Sequence, residues 1–310
     1  MTENRSQDVR AALRSRMVAS ADGTQVSVSS VGDGPGLVVW HGSMEHALSH
    51  VQLAALLADE FTVHLVDRRG HGLTGPAGTD YGMHREVEDA QAVLRETGSS
   101  MMFGISAGGL VVLETARLTP GLVTRAAVYE PALLMGAPER TAWLARFDRE
   151  MAAGNVAAAM VTSMKGLRLA PAVVNVMPRW LLTAATNRAL KSEERSAQPG
   201  QVTMRQLAPT LHNEGVLIKE MDGRLNSFAD VGAEILLMGG SKGLSYLRPA
   251  MSALETVLPV SSRVEYDGLD HGGASDPSQL NSNGSPAVVA PDLRRWFATG
   301  RAERDGGMLT

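Results

Sequence analysis

The pattern of apolar and polar positions alternates between short strands and amphipathic helices from about residue 25 to Pro131. Short, largely apolar runs bounded by turn-forming residues predict strands at Gln25–Val31, Gly36–Trp40, Thr62–Val66, Ser100–Phe103 and Ala126–Tyr129. Apolar residues at helical spacing predict helices at Val51–Leu57, Met83–Thr97 and Ala107–Leu118. Such alternation is typical of a mostly parallel sheet that is covered by helices on both faces.

A long stretch with helical spacing then interrupts the alternation. Residues 133–228 are rich in Ala, Leu, Met and Arg and contain no convincing strand pattern. After it, the sequence predicts strands at Glu234–Met238 and Arg263–Tyr266, and helices at Leu247–Leu258 and near Val288–Phe297. We therefore expect one α/β core, formed by residues 1–131 and 230–310, with a helical insertion at 132–229.

The composition fits a globular protein and excludes several kinds of chemistry. Of the 310 residues, 44% are hydrophobic and 20% charged, which supplies enough apolar material for a full core. A net charge of −4 and an aromatic content of 4% argue against nucleic-acid and anionic-membrane partners. Because cysteine is absent, disulfides, thiolate metal sites and a cysteine nucleophile are excluded. The polar N-terminus and the lack of a long apolar segment favour a cytoplasmic protein.

The first chemical motif is Gly104-Ile105-Ser106-Ala107-Gly108, between a predicted strand and a predicted helix. A serine on such a turn projects its hydroxyl at the helix N-terminus, where the dipole and backbone N–H groups favour developing negative charge. The small residues around Ser106 permit the sharp turn, so Ser106 is the candidate nucleophile. The alternative is a glycine-rich turn in which the serine only caps the helix.

A second motif, His41-Gly42-Ser43-Met44, follows the second predicted strand. Acyl transfer requires two N–H donors directed at the oxyanion, and we expect them from the backbones of Ser43 and Ala107. His41 and Met44 are candidate substrate-binding residues in the same loop. The alternative is an ordinary turn after a strand.

A third motif places a histidine after the last predicted strand. His271 lies within Asp267–Gly272, on a loop that leaves the sheet, where a general base is expected. Two other histidines, His46 and His50, are four residues apart and could bind a metal on one helix face. The sequence has no HExxH motif and no evident third ligand, so we expect neither a metal nor a cofactor.

Together and in this order, the motifs give the chain a clear family resemblance. It resembles the α/β-hydrolase superfamily, in its cap-bearing esterase, lactonase and perhydrolase branch. The resemblance implies that Ser106 is the nucleophile, His271 the base and the helical insertion a cap over the site. The motifs that carry it are His41-Gly42, Asp67-Arg68-Arg69-Gly70-His71-Gly72, the Gly104–Gly108 turn, Tyr129-Glu130-Pro131 and His271.

The sequence departs from this family pattern at the acid that orients the base. The usual acid follows the strand that matches Glu234–Met238, but Gly239–Gly243 contains no carboxylate. Any carboxylate that reaches the far nitrogen of the base can take that role. We predict Glu130, because some members of the superfamily carry their acid at the end of this earlier strand. Alternatively, Glu130 only anchors the start of the cap; weaker candidates for the acid are Asp267, Asp270 and Asp276.

The function favoured by these residues is hydrolysis of a small carboxylic ester, lactone or thioester through an acyl-enzyme on Ser106. A second hypothesis is a non-hydrolytic lyase or cyclase in specialised metabolism, in which Ser106 and His271 act without forming an acyl-enzyme. A third is a binding module without catalysis. In each case the expected partner is a small molecule, and a homo-oligomer remains open.

Overall fold

A computed structural model describes residues 2–167, 176–198, 201–278 and 281–305 of the chain. Its centre is an eight-stranded sheet with the strand order β1-β2-β4-β3-β5-β6-β7-β8. The strands are β1 (Arg14–Ala19), β2 (Gln25–Val31), β3 (Gly36–Trp40), β4 (Thr62–Val66), β5 (Met101–Ile105), β6 (Arg125–Tyr129), β7 (Glu234–Gly240) and β8 (Ser261–Tyr266). From β4 to β8 every neighbouring pair is parallel, whereas β2 pairs antiparallel with both β1 and β4.

Helices connect the strands and fill the long stretch between β6 and β7. The α-helices of the described residues are α1 (Thr2–Ala12), α2 (Val51–Leu57), α3 (Met83–Thr97), α4 (Ala107–Leu118), α5 (Leu144–Ala152), α6 (Val156–Gly166), α7 (Arg179–Ser196), α8 (Met204–Leu207), α9 (Leu211–Met221), α10 (Arg248–Val257) and α11 (Pro286–Asp305). Short 3-10 turns lie at Ala47–His50, Pro138–Thr141, Ala208–Thr210 and Leu225–Asp230.

Two apolar layers hold the sheet, one on each face. Side chains alternate along a strand, so Val38 and Trp40 of β3 join the layer under α3 and α4. Leu37 and Val39 join the opposite layer, which α2 and α11 cover. A sheet that is buried on both faces explains the apolar runs from which the strands were predicted.

The predicted fold class, a mostly parallel α/β sheet, is confirmed, and every predicted core strand and helix is present. Most ends differ by only a few residues; for example, the strand predicted at Ser100–Phe103 spans Met101–Ile105. The exception is the last helix, predicted near Val288–Phe297, which spans Pro286–Asp305. Helix α1 and strand β1 were not predicted from the sequence. Strand β1 is an edge strand in which only Val18 is buried, so it lacks the apolar pattern that identifies the others.

The predicted helical insertion at 132–229 includes residues 168–175 and 199–200, which lie outside the described residues. Within its described part, the structure contains helices and 3-10 turns and no strand. We refer to residues 132–229 as the helical segment. The parallel strands β3 to β8 end at the same edge of the sheet, so the loops that follow them meet there.

Candidate active site

Ser106 lies at the turn from β5 to α4, with φ 53° and ψ −118°. This is an uncommon backbone conformation for a residue with a side chain. The turn can pack against β3 because residue 108 is glycine: a β-carbon there would lie 2.4 Å from the carbonyl oxygens of both Trp40 and His41. The close approach brings the start of α4 beside the loop that follows β3.

His271 lies between the serine and a carboxylate. The Ser106 Oγ is 3.0 Å from His271 Nε2, and His271 Nδ1 is 2.7 Å from Glu130 Oε2. The Nδ1–H can donate only to the carboxylate, which leaves the Nε2 lone pair to accept the Ser106 hydroxyl proton. The His271 side chain is 23% exposed and that of Glu130 only 5%. The structure thus brings the three predicted catalytic side chains into one hydrogen-bonded series.

Glu130 follows β6 and lies in a cradle formed by the loop after β7. Its Oε1 accepts the N–H of Gly240 at 3.0 Å, and its Oε2 accepts that of Leu244 at 3.3 Å. A β-carbon on Gly243 would lie 1.6 Å from Glu130 Oε1, so only glycine leaves room for the carboxylate. The loop that lacks an acid therefore binds and orients one supplied by the neighbouring strand.

The loop after β3, which contains the predicted oxyanion donor Ser43, passes close to Ser106 at Gly42. Gly42 is so close that a β-carbon on it would lie 3.4 Å from the Ser106 Cβ. The loop is fixed by two carboxylates: Glu45 accepts the Gly42 N–H at 2.7 Å, and Asp67 accepts the Ala47 N–H at 2.7 Å. The assignment of Ser43 and Ala107 as the donors stays a prediction.

The two predicted substrate-binding residues have different surroundings. His41 is fully buried; its Nδ1–H donates to the Gly42 carbonyl at 2.8 Å, and its Nε2 accepts the Arg68 N–H at 3.1 Å. Burial holds its pKa well below the ordinary value. Both ring nitrogens are thus engaged by backbone groups, and the ring supports the loop. The role of His41 as a substrate contact stays a prediction.

Met44 lies where the same loop meets the helical segment. It has a positive φ of 58° and packs against a small apolar cluster from α6, α7 and α8. The buried members of that cluster are Ala157, Leu190 and Met204. Its role as a substrate contact stays a prediction.

A buried ionic network that the sequence analysis did not anticipate connects the core to the helical segment. Arg68 follows β4 and pairs with Glu86 of α3 at 3.0 Å and with Glu214 of α9 at 2.9 Å. All three side chains are fully buried. Burial alone would raise the pKa of Glu214, but Arg68 and His71 outweigh it and hold the pKa below its ordinary value. The network gives Arg68 a structural role.

The described residues contain no group of three or more His, Cys, Asp or Glu side chains arranged to hold a metal ion. His50, considered above as a ligand, lies 3.3 Å from Glu45 instead. Across the described residues, no helix combines the length and apolar character needed to cross a membrane.

Comparison with known proteins agrees with this fold. The model of the alpha/beta hydrolase family matches residues 37–283. An α/β hydrolase from Sphaerobacter thermophilus DSM 20745 is 26% identical, with a TM-score of 0.70 over 91% of this chain and 100% of that one. Because the family model covers most of its length, the chain belongs to the alpha/beta hydrolase family.

Curated relatives match over a shorter region. A 2-(acetamidomethylene)succinate hydrolase of Mesorhizobium japonicum is 30% identical over 100 residues, which are 32% of this chain and 36% of that enzyme. A pimeloyl-[acyl-carrier protein] methyl ester esterase of Xanthomonas campestris is 32% identical over 93 residues, or 30% of this chain and 36% of that enzyme. The chain thus spans about a third of the length of these relatives. Their names agree with a hydrolase.

Proposed function

We propose that the protein hydrolyses a small carboxylic ester, lactone or thioester through an acyl-enzyme on Ser106. The observation that carries this proposal is the hydrogen-bonded series from Ser106 through His271 to Glu130. A serine hydroxyl is a weak nucleophile at neutral pH, and an adjacent base that is itself oriented by a third group activates it.

In the first step, Ser106 Oγ attacks the carbonyl carbon while His271 Nε2 takes the hydroxyl proton. The carbonyl oxygen becomes an oxyanion, which the N–H groups of Ser43 and Ala107 stabilise. Glu130 stabilises the imidazolium that forms. The bond to the leaving alcohol or thiol then breaks, the leaving group takes the proton from His271, and the acyl group stays on Ser106.

In the second step, water hydrolyses the acyl-enzyme. His271 removes a proton from the water, whose oxygen attacks the acyl carbon, and the same donors hold the oxyanion. The bond to Ser106 Oγ breaks, and His271 returns the proton to the serine. The products are a carboxylic acid and the free enzyme, so the cycle needs neither a metal nor an organic cofactor.

The helical segment acts as a cap in this proposal. Met44 and the apolar cluster from α6, α7 and α8 lie where the segment meets the loop beside Ser106. An apolar, methionine-containing wall favours substrates with an apolar acyl or alcohol group. One relative is named a hydrolase and another a methyl ester esterase. Those names support the reaction class and leave the substrate open.

The test is covalent labelling together with ester turnover. A fluorophosphonate should add once to the wild type at Ser106, as measured by intact-protein and peptide mass. Ser106→Ala should lose the label, and its hydrolysis of p-nitrophenyl butyrate should fall by at least about 1,000-fold. The matched control is Ser192→Ala, at an exposed serine on α7, which should keep both the fluorophosphonate label and the ester hydrolysis of the wild type. A folded wild type that takes no label and hydrolyses no ester contradicts the proposal.

The non-hydrolytic alternative has less support. That alternative was motivated by the absence of a carboxylate after β7. The Glu130 carboxylate lies 2.7 Å from His271 Nδ1 and takes the place of the missing acid. If Ser106 only donated a hydrogen bond, Ser106→Ala would lower activity modestly and the wild type would form no acyl-enzyme. A burst of p-nitrophenol equal to the enzyme concentration would exclude that alternative.

A further inference from the structure

A carboxylate that is only 18% exposed, that of Glu45, lies close to the proposed oxyanion hole. Glu45 Oε2 accepts the Gly42 N–H at 2.7 Å and so holds the loop that supplies Ser43. The position that a β-carbon on Gly42 would take is 3.2 Å from this oxygen and 3.4 Å from the Ser106 Cβ. The Glu45 carboxylate is therefore a near neighbour of the nucleophile.

A negative charge at this place opposes the reaction that the loop is built to assist. The oxyanion forms beside Ser106, and two like charges a few ångströms apart repel strongly where water is largely excluded. An uncompensated carboxylate at this range slows acylation by roughly 10- to 100-fold. Glu45 can fix the loop without this penalty only if a positive charge lies beside it.

His50 is placed to supply that positive charge. It is fully buried, at the end of the 3-10 turn Ala47–His50, and its Nε2 lies 3.3 Å from Glu45 Oε2. Burial alone would lower the pKa of His50, but the charges of Glu45 and Asp276 raise it above its ordinary value. Burial also raises the pKa of Glu45, yet His50 and the Gly42 N–H outweigh it and hold that pKa below its usual range.

The same turn connects to the loop of the base. The Asp276 N–H donates to the Ser49 carbonyl at 3.1 Å, and the Asp276 carboxylate accepts the N–H of Gln52 at 2.8 Å. Burial raises the pKa of Asp276 to about 6. Asp276 lies five residues after His271 in the chain, so the turn that ends at His50 is hydrogen-bonded to the loop that carries His271.

We propose that Glu45 and His50 form a positioning pair for the oxyanion hole: Glu45 fixes the Gly42–Ser43 backbone, and the His50 imidazolium cancels the charge that would otherwise oppose the oxyanion. The inference rests on the proposed hydrolase function. Neither residue touches the reacting atoms. Both act through the loop and its electrostatic potential.

The other titratable groups near the pair do not replace His50. His41 and His46 face it, and burial lowers the pKa of both, so neither brings a positive charge at neutral pH. The charges of Asp67 and Arg10 also act on His46, Asp67 raising its pKa and Arg10 lowering it. Asp276 adds a second negative charge near His50 and so favours its protonated form.

A double-mutant cycle tests the pair, because the proposal predicts that Glu45→Gln restores kcat in the His50→Gln variant. His50→Gln should lower kcat for p-nitrophenyl butyrate by about 10- to 100-fold with little change in KM, because an uncompensated Glu45 opposes the oxyanion. Glu45→Gln alone should stay within about threefold of the wild type, since the amide oxygen still accepts the Gly42 N–H. The double variant, with no buried charge, should regain most of the kcat lost in His50→Gln. A double variant as slow as His50→Gln, or slower, overturns the proposal.

A matched histidine and a second readout keep the test decisive. His212 pairs with Asp148 at 2.8 Å on the exposed surface, so His212→Gln should leave kcat unchanged. In the wild type, kcat should fall on the alkaline side as His50 loses its proton, and Glu45→Gln should remove that fall. If His50→Gln does not fold, histidine NMR titration decides, since the pKa of His50 should drop in folded Glu45→Gln. An unchanged value overturns the pair.

The failure of this inference differs from failure of the proposed function. A wild type that is labelled at Ser106 and hydrolyses esters, but whose double variant shows no recovery, overturns the pair alone. A folded wild type that takes no fluorophosphonate and turns over no ester overturns the hydrolase function, and the role of the pair falls with it.

Discussion

At the scale of single residues, the candidate site depends on Glu130, whose carboxylate comes from the residue after β6 and not from the loop after β7. Glu130, the residue directly after β6, has a φ of 42°, a conformation that residues with side chains seldom adopt. The surrounding structure stabilises it, because the Glu130 N–H donates to the Met238 carbonyl and its carboxylate accepts three donors. Strain that the neighbours compensate in this way is often found at functional positions.

Glu130→Gln should lower kcat by about 1,000- to 10,000-fold, because an amide cannot stabilise the imidazolium and can favour the wrong tautomer of His271. The variant should fold, since the amide can still accept the N–H groups of Gly240 or Leu244. Steady-state hydrolysis and circular dichroism separate the two effects. Glu139→Gln, an exposed change in the helical segment, is the matched control. Wild-type turnover in Glu130→Gln would remove Glu130 from the mechanism.

At the scale of elements, the loop after β7 is shaped by the carboxylate that it receives. Gly239, Gly240 and Gly243 surround Glu130, and the N–H groups of Gly240 and Leu244 face it. The loop follows β7, Glu130 follows β6 and His271 lies on the loop after β8. Three neighbouring parallel strands thus assemble one part of the site at their carboxyl ends.

Gly243→Ala should damage the site through Glu130, because its β-carbon would lie 1.6 Å from Glu130 Oε1. We expect kcat to fall at least about 10-fold and the melting temperature to drop, since the loop or the carboxylate must move. Gly232→Ala, where a β-carbon meets nothing within 4 Å, is the matched control. In a Glu130→Gln background, the further loss of kcat should be much smaller than in the wild type. Equal losses in both backgrounds would show that Gly243 acts elsewhere.

Some of these elements, but not all, could be predicted from the sequence. The core strands were predictable because burial on both faces makes them apolar, and Ser106 because its turn has a local signature. The acid could be proposed from the empty position after β7, but not its cradle, since Gly240 and Glu130 are 110 residues apart. The support that His41 gives to its loop could not be predicted, because a histidine that supports a loop and one that contacts substrate look alike in sequence.

At the scale of the whole molecule, the fully buried Arg68 joins the core to the helical segment through Glu86 and Glu214. A sequence offers no signal for a pair separated by 146 residues. A buried charge loses the free energy of hydration, and only attraction to its partners offsets that loss. Removing one partner is therefore strongly destabilising. The helical segment is therefore held against the core by charge as well as by apolar packing.

Arg68→Gln should consequently destabilise the fold by about 3–5 kcal/mol, because it leaves two buried carboxylates without their partner. Arg205→Gln, which breaks an exposed pair with Glu194, should cost no more than about 1 kcal/mol. Urea unfolding at pH 7 measures both.

The stabilisation by Arg68 should depend on pH. Because the pKa of Glu214 is below its ordinary value in the fold, the pair stabilises the wild type above the unfolded carboxyl pKa. That contribution is lost as the pH falls through the folded pKa. In Arg68→Gln the two carboxylates that have lost the arginine should instead take up protons more readily, so the difference in unfolding free energy between wild type and variant should shrink from pH 7 towards pH 5. A difference that stays constant over this range would mean that Arg68 stabilises the fold by packing, and that charge does not hold the helical segment to the core.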